Sequence, residues 1–71
     1  MPYASNLELP AAVRDHLPAH AQDIFREAFN SAMDEYDGRG GEQREKLAFK
    51  VAWAAVKRSY RKDGPRWVAK H

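Results

Sequence analysis

The sequence predicts a mainly α, compact three-helix domain with helices in the order short, long, long. Three observations carry this. Two Leu-Pro pairs punctuate the first third, apolar residues recur at three- and four-residue spacing from 21 to 36, and a run rich in Ala and aromatics from 47 to 60 follows a glycine-rich break. With 71 residues, 44% apolar and 31% charged, the chain has material for one core and a solvated surface, and not for a second domain. Residues 1–71 are therefore a single domain.

Proline fixes φ and lacks an N–H, so it suits a helix start, and the residue before it avoids the α region. Pro10 thus opens a short helix over residues 10–16, and Pro18 ends it and opens a second over 18–36. On that second helix Ala21, Ile24, Phe25, Ala28, Phe29, Ala32, Met33 and Tyr36 share one face, while Asp23, Glu27, Asn30 and Asp34 lie opposite. Gly38, Gly40 and Gly41 break continuity, and a third helix is expected over 42–61, stopping before Gly64-Pro65.

At 100° per residue the apolar residues of this third helix cover nearly its whole circumference, so it is placed at the centre of the molecule and buried on most sides. Its alanines allow close approach on one side, and Phe49, Trp53, Val56 and Tyr60 fill larger space on the other. On that placement, truncating Trp53 costs about 3–5 kcal/mol. The ends leave two readings open. Residues 1–3 and 66–68 either pair as a minimal two-stranded sheet that buries Tyr3 against Trp67, or the C-terminus frays.

Charge is unevenly distributed. Residues 1–38 carry two basic and seven acidic side chains (net −5), and residues 39–71 carry ten basic and three acidic ones (net +7). Such asymmetry marks either an anionic partner for the second half or mutual attraction of the two halves. There is no cysteine, so neither a disulfide framework nor a thiolate metal site is available. Residues 1–10 lack the basic and apolar regions of a signal peptide. The longest apolar run, 51–56, is far short of the ~20 residues of a membrane span. A soluble, cytoplasmic protein without membrane insertion is expected. The sequence does not state whether the chain dimerises, and a monomer is the working expectation.

The order and spacing of Met1-Pro2-Tyr3, Leu9-Pro10, Leu17-Pro18, His20-Ala21-Gln22-Asp23-Ile24, Ala28-Phe29-Asn30-Ser31-Ala32 and Val51-Ala52-Trp53-Ala54-Ala55-Val56-Lys57, followed by Tyr60 and Trp67, resemble the bacterial ChaB family over essentially the whole chain. The resemblance implies a cyclin-box-like arrangement of three helices with a small sheet. It also implies a role as a regulator of cation transport acting on a sodium/calcium–proton antiporter, ChaA. Related viral proteins are described as candidate DNA binders. Some relatives carry a longer charged stretch where residues 37–42 form a short glycine-rich loop here.

The residues offer little chemistry. His16 and His20 are four apart, but Leu17-Pro18 separates their helices, so i,i+4 ligation is unavailable, and helix-end capping is the expected role. His71 stands alone at the C-terminus. His20 and Asp23 are placed to satisfy free N–H groups at the start of the second helix. Asp23, Glu27 and Asp34 form an acidic strip without EF-hand spacing. No Ser-His-Asp set, paired carboxylates, phosphate loop or Walker pattern is present, so no catalytic residue, metal or cofactor is expected, and the protein is read as a non-enzyme. The expected partner-binding residues are Lys46, Lys50, Lys57 and Arg61 on one face of the third helix, extended by Arg58, Lys62, Arg66 and Lys70. Asn30 and Asp34 mark a second, weaker face, although Asn30 could equally hydrogen-bond to the first helix. The leading reading is a regulatory protein–protein contact with a cation/proton antiporter. The alternative is a small non-specific nucleic-acid-binding protein using the same basic face, whose affinity would fall steeply with salt.

Overall fold

The computed structural model describes residues 3–36, 38 and 40–70. A single 3₁₀ turn, Asn6–Glu8, precedes α1 (Ala11–His16), α2 (Ala19–Glu35) and α3 (Gly41–Ser59), and the chain ends in a hairpin of β1 (Tyr60–Asp63) and β2 (Arg66–Ala69). Both proline-defined helix starts are present. The Pro10 carbonyl accepts from the Val13 and Arg14 amides at 2.9 and 3.0 Å, and the Pro18 carbonyl accepts from Gln22 at 2.9 Å. The missing proline N–H costs nothing there, because the first amides of a helix have no intrahelical acceptor.

α2 and α3 pack along their length and form the body of the molecule. Ala48 and Ala52 of α3 are completely buried against α2, whose Ala21, Phe25, Phe29, Ala32 and Met33 supply the facing side. Leu9, Val13 and Leu17, at four-residue intervals through α1, complete the core with Val56 and Tyr60. Phe25 is its centre: fully buried, its ring lies 6.3 Å from Phe29, 6.0 Å from Phe49 and 5.1 Å edge-on from Trp53.

Three expectations change. α3 ends at Ser59, and Tyr60 and Arg61 belong to a strand. The small sheet is present, but its strands are consecutive: Tyr60, Arg61, Lys62 and Asp63 oppose Ala69, Val68, Trp67 and Arg66. Gly64 takes a φ of +63° in the two-residue loop, which the first central position of a tight hairpin demands and side-chain-bearing residues resist. Local closure over two residues costs far less chain entropy than joining segments more than 60 residues apart. Tyr3 accordingly lies in no strand and packs on Phe29, ring centroids 4.9 Å apart, rather than on Trp67. Met1 and Pro2 of the expected N-terminal strand lie outside the described residues.

The third change concerns α3, which is not wrapped. α1 has six residues and the hairpin lies at the end of α3, so α2 alone covers it lengthwise. Ala48, Ala52 and Val56 are its only buried residues. Trp53 is half-buried at the edge of the core, and Val51 is 38% exposed.

Candidate interaction surface

The outer side of α3 begins with helical periodicity. Lys46, Lys50 and Lys57 fall on one strip and all three are exposed, as are Ala54 and Arg58. Leu47 is half-buried, and with Val51 and Ala54 it forms an apolar seam that the lysines border. An exposed face mixing lysine with Leu, Val and Ala differs from a purely solvating one, since long cationic stems can flank an apolar contact while their heads stay wet. Lys46 lies 4.0 Å from Glu42 one turn earlier, an exposed pair of small energetic weight that leaves the lysine available.

At the end of the helix the period changes from 3.6 to 2, and this rearranges the basic residues. Arg61 is exposed on β1 opposite Val68. Alternation sends it to the sheet face away from Tyr60, so it leaves the helical strip it was expected to continue. Lys62 takes its place. It pairs with Trp67 across the hairpin and lines a groove of about 480 Å³ together with Ala12, His16, Trp53 and Lys57. Trp67 stacks on Trp53, with centroids 5.6 Å apart and planes inclined at 30°. Arg66 and Lys70 are exposed on the second strand and just beyond it. The sequence contained the signal for this groove: a Gly64-Pro65 loop flanked by four-residue strands sets Lys62 opposite Trp67.

The second expected face divides. Asp34 is exposed on α2. Asn30 is half-buried and fully engaged: its Oδ1 accepts from the Tyr3 amide at 2.9 Å, and its Nδ2 donates to the Tyr3 carbonyl at 2.8 Å. Among the described residues the expected bond to the first helix is absent, and the partner of Asn30 is the N-terminal segment instead. Asp23 likewise accepts from Asn6 Nδ2 at 2.6 Å and pairs with Arg26 at 3.6 Å, while Arg26 Nε donates to Asn6 Oδ1 at 2.8 Å. This closed triangle holds the N-terminal segment on α2, and no side-chain hydrogen bond caps the helix start.

His20 is also redirected, sharing a 3.0 Å hydrogen bond with the Tyr60 hydroxyl. His16 donates from Nδ1 to the Ala12 carbonyl at 2.7 Å, a helix-end contact. Gln22 donates to the carbonyls of Leu17 and Arg14 at 2.8 and 3.3 Å and so closes the C-terminus of α1. Arg44 Nε donates to the Met33 carbonyl at 2.7 Å and ties α3 to the end of α2. His71 lies outside the described residues. Among the described residues no three His, Asp or Glu side chains stand close enough together to hold a metal ion. No described helix is long and apolar enough to cross a membrane. Burial, and secondarily the negative charge of Glu45, pushes the Tyr3 hydroxyl above its ordinary pKa of 10.0.

Comparison with known proteins places this architecture. The chain is 52% identical over 75 aligned positions to a protein of Escherichia coli (strain K12) named "Putative cation transport regulator ChaB", the match covering 99% of each. Identity and coverage are the same for the proteins of that name from Escherichia coli O157:H7 and Shigella flexneri. The NMR solution structure of a protein of the same name is 49% identical, with a TM-score of 0.86, over 99% of this chain and all of that one. The ChaB family model matches residues 9–70. The chain belongs to the ChaB family.

Proposed function

We propose that the chain is a non-enzymatic regulatory binding protein of cation transport, and that it acts through the outer face of α3 by contact with a cation/proton antiporter at its cytoplasmic side. The observation that carries this reading is the composition of that face. Lys46, Lys50 and Lys57 stand exposed around an apolar seam of Leu47, Val51 and Ala54 that no other element of the described chain covers. Exposed apolar area bordered by like charges suits docking on a complementary surface, with charge setting encounter and orientation and the apolar centre holding the complex. The whole-length relatives named as regulators of cation transport supply the biological setting.

The test is recovery of tagged protein with its partner from lysate, with and without nuclease, washed at low and high salt. The expected result is an antiporter that survives nuclease and high salt and is lost from Lys50→Glu/Lys57→Glu. Recovery of nucleic acid alone, released by salt, would replace this reading by the nucleic-acid one, because phosphate contacts release counterions and weaken log-linearly with salt.

A further inference from the structure

The groove at the junction of α1, α3 and the hairpin is built differently from the rest of the basic surface. Its floor is the stacked Trp53–Trp67 pair. Lys57 reaches it from the last turns of α3, and Lys62 from β1 on the same sheet face as Trp67. Ala12 and His16 of α1 also line it. Two cations from separate elements thus converge on an aromatic floor, and among the described residues no acidic side chain lines the groove. Its volume, about 480 Å³, accommodates one large side chain and its neighbours.

We propose that this groove receives an acidic segment of a partner protein, with one large apolar side chain entering over the Trp53–Trp67 pair and flanking carboxylates meeting Lys57 and Lys62. The proposal rests on the regulatory-contact reading and supplies the chemistry of the partner. Charge complementarity selects the carboxylates, since both charged groups on the groove walls are cationic. The indole floor selects the apolar anchor, because tryptophan in a concave, desolvated site concentrates binding energy. A bilayer surface fits less well, since a flat surface does not fill a groove. Nucleic-acid platforms offer successive free ring faces along the strand. Here the two indoles stack on each other instead.

The experiment is selection from a random peptide display library on the intact folded protein. The Lys57→Glu/Lys62→Glu variant serves as the counter-target, and the Trp53 and Trp67 indole N–H resonances of the labelled protein locate binding. Both lysines are exposed, so the variant is expected to keep its fold, which the same spectra verify. The expected consensus contains at least two acidic residues around an aromatic or large aliphatic one. Chosen peptides should shift both indoles and lose about tenfold or more in affinity on the variant.

An absent, neutral or basic consensus would overturn the proposal, as would peptides that bind the variant equally. So would indole shifts produced by anionic vesicles or single-stranded oligonucleotide but by no peptide. Peptides sensitive to Lys46→Glu/Lys50→Glu, with the indoles unmoved, would remove the groove while leaving the α3-face reading standing. If the antiporter is also not recovered, both fall.

Discussion

Asn30 shows how much a single side chain can do and why a helical wheel misplaces it. The wheel sets it away from the apolar face, which is correct, but that side of α2 is covered by a segment 27 residues upstream. A carboxamide can accept from the Tyr3 amide and donate to its carbonyl at once; a carboxylate of the same shape can only accept. Asn30→Asp is therefore expected to destabilise the fold by about 1–3 kcal/mol, read from the urea midpoint, because it leaves a partly buried carbonyl facing a charge. The neighbouring Tyr3 supplies a pH test. Its hydroxyl pKa is raised in the folded state, chiefly by burial and then by Glu45. The folded chain thus holds that proton more tightly than the unfolded one, so the contribution is complete below pH 10 and is lost as pH climbs through the higher folded value. Between pH 9 and pH 11, wild type should lose more stability than Tyr3→Phe; equal losses would mean that burial does not disfavour the phenolate.

At the scale of elements, punctuation was legible and partnership was not. Pro10, Pro18 and the glycines at 38–41 marked the helix starts because each acts on its own backbone, whatever the rest of the chain does. The end of α3 was not legible, since Tyr60 and Arg61 continue the 3.6-residue pattern of the helix and only the hairpin, closed by Gly64 and Pro65, pulls them into a strand. The exposure of α3 was misread for a related reason. Alanine fits a close helix contact and an open surface equally well, so a helix rich in it looks apolar all round. Ala52, completely buried against α2, and Ala54, exposed two residues later, separate the two cases. Ala52→Leu should cost about 1–3 kcal/mol by forcing α2 and α3 apart. Ala54→Leu should stay within about 0.5 kcal/mol. Thermal melts of the two variants side by side check which face of α3 meets α2.

For the molecule as a whole, the question is how a chain this short holds a core and also presents a surface. A domain of this length is expected to be stable by only ~4–11 kcal/mol, at ~0.05–0.15 kcal/mol per residue. Its two ion pairs between described residues each lie within one helix, Asp23 with Arg26 and Glu42 with Lys46, so the opposite net charges of the two halves are not joined by either pair. Cohesion falls on the buried apolar side chains, with Phe25 at their centre. Trp53 was expected to carry that weight, but the larger ring is only half-buried and divides its faces between the core and the groove. Truncation should reveal this division. Phe25→Ala, at about 3–5 kcal/mol, removes from about a quarter to all of the margin, and where the margin lies at its low end it should leave a large unfolded fraction at 25 °C by circular dichroism. Trp53→Ala should stay folded with a lowered Tm, because part of its ring already lies in water and the space it vacates opens to solvent rather than leaving a sealed cavity. If Trp53→Ala instead unfolded the chain as fully as Phe25→Ala, its indole would belong to the core alone and the groove would lose its floor.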